Sequence, residues 1–455
     1  MWASTLGPSS RQLPAPEMKV LIVAFAFPPS NLIGAIRAGK LARYLDRRGH
    51  DVRALTTDIV DDRSLPLEIS RERVIYTDYL ERKGWLERLT HPFRSRSASQ
   101  LANRSEAAPM QGGGLRRSLR SFLRRQYHGL THIPDMRTDW IKTAVPAGRR
   151  LINEWRPDIL FASAPPYTGL IVASRLARAF DIPWVADFRD LWVDNPYYSE
   201  PRWRRPIDAV LERLILRSAA RLVTVSPVWA EQLRRRHGKV AEVVYNGYAE
   251  EDFPHPPPQG ARGEILIIRY TGSIYPGFRD PSAVFTAIGL LNGTFREHVR
   301  VEFFGDAGDD VLDLAAAHGV RNHVVIMPSV PYRRALELQM TADVLLLLQS
   351  NNKRDEGNLP AKLFEYLYAR RPILFIGYEQ GIAAQLIRGR GAGLVSNTPE
   401  QIRDQLRAWI EEKRAGGLKK LDSSVSRGLG RDEQFRKAEQ VFTAILKERR
   451  VVKKT

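Results

Sequence analysis

The chain has 455 residues, 43% of them hydrophobic, which is enough for two cores because a single core stops growing near ~250–300 residues. It contains no cysteine, which excludes disulfides, thiolate nucleophiles and Cys-ligated zinc and fits a reducing cytoplasm. Its 70 Lys and Arg against 51 Asp and Glu give a net charge of +19, so the expected partners are anionic: nucleic acid, acidic lipid or phosphorylated small molecules.

Residues 1–17 (MWASTLGPSSRQLPAPE) have no periodicity and read as a disordered leader before a second methionine, Met18. The run KVLIVAFAF then predicts a strand buried on both faces, followed by a Pro-Pro-Ser-Asn loop, a helix over 34–48 and a strand over 51–57, a βαβ unit. Residues 58–135 interrupt this pattern. Between 81 and 128 they carry eleven Lys and Arg against three acids, and Leu115, Leu119, Phe122 and Leu123 recur at helical spacing among Arg116, Arg117, Arg120, Arg124 and Arg125. That is a basic amphipathic helix, which either docks on an anionic membrane surface or packs on the protein's own core. The alternation resumes with strands over 157–163, 182–187 and 221–226 around helices over 167–180 and 207–219, closing a first domain over 18–250.

Residues 251–262, with three consecutive prolines, read as a linker. In a second domain over 263–430, strands over 265–271, 299–304, 324–327, 343–348 and 372–376 alternate with helices over 281–291, 309–318, 332–341, 360–369 and 381–387. Residues 431–455 read as a C-terminal helix and basic tail. The predicted class is α/β, two Rossmann-like domains about a cleft, where such folds bind ligands at the carboxyl ends of their strands. No apolar run approaches the ~18 residues of a membrane span and no secretory leader is apparent, so the expected location is cytoplasmic, with peripheral membrane contact.

Five segments, in order, resemble retaining glycosyltransferase family 4: VAFAFPPSNLIGAIRAGKLARYLDRRGHDVRALT; PDILFASAPPYTGLIVASRLARAFDIPWVADFRDLW, with an Asp-Phe-Arg-Asp-x-Trp signature; the stretch from Ser226 to YNGYAEEDF; RYTGSIYPGFRDP; and LPAKLFEYLYARRPIL. The resemblance implies the GT-B fold and a hexosyltransferase moving a sugar from a nucleoside diphosphate sugar to a lipid-linked or polysaccharide acceptor at the cytoplasmic membrane face. It implies retention of anomeric configuration, with the diphosphate oxygen taking the acceptor proton and no protein nucleophile.

The residues offer compatible chemistry. There is no Asp-x-Asp to hold a divalent metal, so no cofactor or metal is expected, and the leaving diphosphate must be stabilised by helix N-termini and cationic side chains. Gly34 either caps a helix or lets backbone approach the β-phosphate. Arg279, after the loop containing Gly272 and Ser273, and Lys362 are the candidate cations, with Leu363 beside them in the donor-binding set. Lys362 and Glu365 stand three apart, which allows a plain salt bridge; the resemblance instead makes Glu365 the carboxylate that accepts from both ribose hydroxyls. The first glutamate of the family's pair falls at Gly357, so that either Glu356 or Asp355 replaces it through a loop shift or nothing does. Asp187, Arg189 and Asp190 form the expected catalytic group: either Arg189 bridges an Asp structurally, or Asp190 orients the acceptor hydroxyl or stabilises positive charge at the anomeric carbon. Many relatives carry a His near Arg189, absent here. Ser163, Pro165, Pro166 and Tyr167 are expected on the acceptor side. The rival readings are a sugar-nucleotide epimerase of the same fold, and a nucleic-acid-binding protein, which the absence of helix-turn-helix, zinc-finger or RNP motifs disfavours.

Overall fold

The computed structural model describes residues 17–58, 63–79, 125–255, 263–274, 278–305 and 310–452. The leader through residue 16, the predicted basic helix up to residue 124 and most of the linker lie outside these residues.

The first sheet has seven parallel strands, β1 Lys19–Ala24, β2 Asp51–Thr57, β3 Val74–Thr77, β4 Ile159–Ala164, β5 Trp184–Phe188, β6 Arg221–Thr224 and β7 Ala241–Val243, in the order β3-β2-β1-β4-β5-β6-β7. The second has six, β8 Leu266–Thr271, β9 Val299–Phe304, β10 Val324–Met327, β11 Val344–Leu348, β12 Ile373–Ile376 and β13 Gly393–Val395, in the order β10-β9-β8-β11-β12-β13. Both sheets are parallel and covered on both faces, which is why β1, β4, β5 and β11 are nearly continuous apolar runs with almost every residue buried.

The helices of the first half are α1 Ile33–Arg47, α2 Ile141–Glu154, α3 Thr168–Phe180, α4 Arg204–Leu216 and α5 Pro227–His237. Those that follow are α6 Ser282–Leu290, α7 Asp310–Ala317, α8 Tyr332–Thr341, α9 Ala361–Ala369, α10 Ile382–Gly389, α11 Pro399–Arg414 and α12 Arg431–Val452.

Three features differ from the sequence reading. The interruption over 58–135 is partly regular: its residues 74–77 form the edge strand β3, with Ala54 opposite Val74. The expected linker begins inside a core, since Phe253 is buried in the second domain against Tyr368, ring centroids 4.4 Å apart. The expected C-terminal helix is not a separate appendage. Phe435, Ala438, Phe442 and Ile445 of α12 join Val20, Ile22, Leu41, Leu45 and Phe161 in the core beneath the first sheet. The Phe442 ring meets Phe161 edge-on at 5.7 Å, and Tyr44 Oη of α1 donates to Glu439 at 2.7 Å. The chain therefore crosses to the second domain and returns. Among the described residues no helix is long and apolar enough to cross a membrane.

Phe442 is fully buried. Phe442→Ala is expected to lower stability by about 3–5 kcal/mol, measured by urea unfolding monitored on the first domain; a loss below about 1 kcal/mol would mean that α12 does not complete that core.

Candidate active site

The loops at the carboxyl ends of β1, β4 and β5 form one wall of the site. Asp187, on β5, is fully buried, and its oxygens receive a fork from Arg37 of α1, Nε to Oδ2 at 2.9 Å and Nη2 to Oδ1 at 2.8 Å. Ser163 Oγ donates to Oδ2 at 2.8 Å, and Arg37 also donates to the carbonyls of Val244 and Tyr245, each at 3.1 Å. Asp187 was expected in the catalytic group, but a buried carboxylate with both oxygens taken has no reach toward a substrate. Its work is to tie β5 to α1, to β4 and to the segment leading into the second domain. Ser163, expected to line the acceptor side, is buried in the same network. The structural bridge anticipated for Arg189 belongs to Arg37.

Two residues on, Arg189 turns toward the N-terminus of α1. Its main-chain N–H donates to Ala164 O at 2.9 Å and its guanidinium to Pro165 O, while Nε has no hydrogen-bond partner. A Cβ on Gly34 would lie 2.4 Å from Arg189 Nη1. Glycine leaves the room that the guanidinium occupies here, and an added Cβ would push it aside, a reason that neither sequence reading of Gly34 contained. A cation against the positive end of a helix is unfavourable alone and becomes favourable when an anion binds both. Burial lowers the Arg189 pKa, with Asp190 and Asp187 opposing that shift.

Asp190 is solvent-accessible, yet enough protein surrounds it to raise its carboxyl pKa through desolvation, against the pull of Arg189. Accessible and enclosed together describe a residue on the wall of a cleft. Half-buried Pro166 and Tyr167 stand beside it. Tyr167 stacks on Trp192 at 4.9 Å with an 8° interplanar angle and donates from Oη to Leu191 O at 2.7 Å, which fixes the ring.

The opposite wall comes from β8 and α9. Gly272 has φ +123°, and a Cβ there would fall 2.6 Å from Lys362 Nζ. Lys362 Nζ donates to Thr271 O at 2.5 Å and lies 4.2 Å from the centre of the Tyr270 ring. Arg279 reaches the same loop, donating to Ser273 O at 2.6 Å. Desolvation, and then Arg279, lower the Lys362 pKa. Lys362 and Glu365 form no ion pair within 4.0 Å among the described residues, so the plain i,i+3 bridge is not what holds them. Glu365 instead accepts from Gln339 Nε2 at 3.1 Å. Leu363 needs correction: its side chain is fully buried in the second core and its N–H is spent on Pro360 O at 3.0 Å, so it anchors α9 and does not face a ligand.

Gly357, where the family's first glutamate was expected, packs under Trp229 of the first domain. A Cβ would lie 2.4 Å from the indole Cδ1, so no side chain fits. Asp355 is taken as well: Tyr197 Oη, from the first domain, donates to its Oδ2 at 2.7 Å, and the Tyr197 ring meets Phe278 at 5.2 Å. Arg37, Trp229, Gln339 and Tyr197 escaped the sequence reading, because each acts on a partner distant in sequence and none carries a local motif. Arg431 escaped likewise; buried, it donates to Asn246 O at 3.1 Å and pairs with Asp252 at 3.5 Å. Among the described residues no group of three or more His, Asp or Glu is arranged to hold a metal ion.

Residues 34–249, which carry the first wall apart from the loop after β1, match the family described as the glycosyl transferase 4-like domain. The chain is a glycosyltransferase. No curated protein sequence matches this glycosyltransferase. Among solved structures it is similar to a glycosyltransferase from Rickettsia africae ESF-5, at 12% identity over 95% of this chain and 100% of that one, TM-score 0.56. It is also similar to Anabaena HepE in complex with UDP, at 12% identity over 96% and 99%, TM-score 0.54. Sucrose-phosphate synthase from Thermosynechococcus elongatus follows at 13% identity over 96% and 98%, TM-score 0.53. At such identities the likeness is one of fold, and that fold is GT-B.

In this glycosyltransferase Gly34→Ala is expected to displace the Arg189 guanidinium and lower kcat/KM by about 10²-fold. Arg189→Ala should cost a similar factor, and the double variant no more than either alone. Multiplying losses would show that the two residues act separately.

Proposed function

We propose that the enzyme is a metal-independent, retaining hexosyltransferase that takes a sugar from a nucleoside diphosphate sugar and passes it to a lipid-linked or polysaccharide acceptor at the cytoplasmic face of a membrane. The observation that carries this reading is the convergence of Lys362 and Arg279 on the Gly272–Ser273 loop, with Arg189 over the α1 N-terminus on the other wall. These cations supply the charge stabilisation that a departing diphosphate requires. The Anabaena HepE structure holds UDP, which supports a nucleoside diphosphate as the class of ligand.

In this reading Glu365, half-engaged by Gln339, accepts from the ribose hydroxyls. The bond from the anomeric carbon to the diphosphate oxygen breaks through an oxocarbenium-like state, the leaving oxygen takes the acceptor hydroxyl proton, and the new glycosidic bond forms on the same face. Asp190 orients that hydroxyl. Positioning and electrostatics do the rest.

The deciding experiment has two arms. Thermal melting across UDP-, GDP- and TDP-sugars should show one donor raising Tm, an effect lost in Glu365→Ala. With that donor, free nucleoside diphosphate should form only when acceptor lipid is added, and at an undiminished rate in EDTA. Release without acceptor favours an epimerase, and loss in EDTA restored by Mg²⁺ or Mn²⁺ refutes metal independence.

The lowered Lys362 pKa fixes a pH dependence. As pH rises through that value the ammonium becomes neutral and attracts the diphosphate less, so kcat/KM for donor should fall at a pH below the ordinary lysine value of about 10.4. Lys362→Arg, which stays charged, should move that limb upward; an unchanged limb would assign it to another group.

A further inference from the structure

α4 is built inside out. It buries Arg204, Asp208 and Glu212 and exposes Ile207, Val210 and Leu214 at 45%, 60% and 60%, with Trp203 just before it at 38%. These four lie three and four residues apart and so share one face of the helix. The inversion is locked by the buried side. Arg204 Nε donates to Asp208 Oδ1 at 3.3 Å and its Nη2 to Pro134 O; Tyr198 Oη donates to Asp208 Oδ2 at 2.8 Å. Glu212 accepts from Val193 N–H at 3.2 Å and contacts His237 Nε2 at 2.9 Å. Rolling the helix to hide its apolar stripe would strand these groups without partners, which costs more than the stripe would gain.

Beside the stripe stand Arg202, Arg213 and Arg217, all exposed, while both carboxylates of the helix point inward. Among the described residues the outer surface of the helix itself is thus apolar and cationic, and the half-buried Asp194 beside it is paired with Arg236 and Arg205. α4 follows directly from the segment that carries Arg189, Asp190 and Tyr197, so this surface belongs to the acceptor-side domain.

We propose that the outer face of α4 is a membrane-docking surface, with Trp203, Ile207, Val210 and Leu214 entering the acyl boundary of an anionic bilayer while Arg202, Arg213 and Arg217 meet its phosphates. Charge complementarity selects this occupant. A symmetric contact with a second copy would set the same arginines against each other, whereas an anionic lipid surface neutralises them. The inference rests on the proposed membrane-linked acceptor for its purpose and on the α4 geometry alone for its physics.

The test is co-sedimentation of the full chain, without substrates, with vesicles of equal parts phosphatidylglycerol and phosphatidylcholine and with phosphatidylcholine alone. Wild type should bind the anionic vesicles and be released by salt. The variant I207S/V210S/L214S should bind at least about tenfold more weakly, and R202E/R213E/R217E about a hundredfold or more. Both should keep the wild-type Tm and its donor-induced rise, which separates failure of docking from failure of the glycosyl-transfer reading. A third variant, R116E/R120E/R124E, controls for the other basic segment. If it alone abolishes binding while both α4 variants bind normally, or if wild type does not bind, the assignment is overturned. A concentration-dependent dimer in light scattering that only the α4 variants dissolve would likewise overturn it, in favour of self-association.

Discussion

The Arg37–Asp187 pair sets the frame for the first wall of the site. It is an ion pair out of water, held by a two-pronged guanidinium–carboxylate contact and completed by Ser163 and two main-chain carbonyls. A pair of this kind contributes little net stability as a whole, but removing one partner leaves a buried charge and costs about 3–5 kcal/mol. What it secures is register. Asp187 is two residues from Arg189 and Arg37 is three from Gly34, so the contact that joins β5 to α1 also brings Arg189 over the helix N-terminus. A displacement there would separate the two groups that share the anion-facing corner.

The corner and its counterpart across the cleft follow one electrostatic pattern. Lys362 is drawn out of water beside a second cation, Arg279, and Arg189 is desolvated beside a helix N-terminus. Each arrangement is poor without a ligand and good with an anion. Local stability is thereby exchanged for a site already oriented toward negative charge, so little reorganisation accompanies binding.

What the sequence made legible depended on how local each determinant is. The strands were readable because burial on both faces writes an unbroken apolar run, as in β1 and β11. β3 is only four residues long and sits at an edge, too short to show a period amid charged neighbours. α2 carries Pro146 inside it, which reads as a break although the helix continues. Arg279, Lys362 and Glu365 could be named as candidates because each lies beside its own strand end or helix start. Asp187 was misassigned because its partner lies 150 residues away; sequence offered a carboxylate after a strand and no means of knowing that its valences were filled. The glycine at 357 looked like a missing function, and the reason for it is Trp229, on another domain.

The return of α12 to the first domain has a mechanical consequence. The chain passes between the domains twice, and the two passages lie side by side: Tyr248 is bridged to Gly430, and Arg431 N–H donates to Tyr248 O at 2.7 Å. Two bonded strands resist torsion as a single strand cannot, so relative movement of the domains is confined to flexing about the line they share. Arg431 sits on that line, and its guanidinium lies in the electrostatic field of Glu365. The joint between the two halves therefore lies within electrostatic reach of Glu365, and flexing there alters the interaction between the two groups.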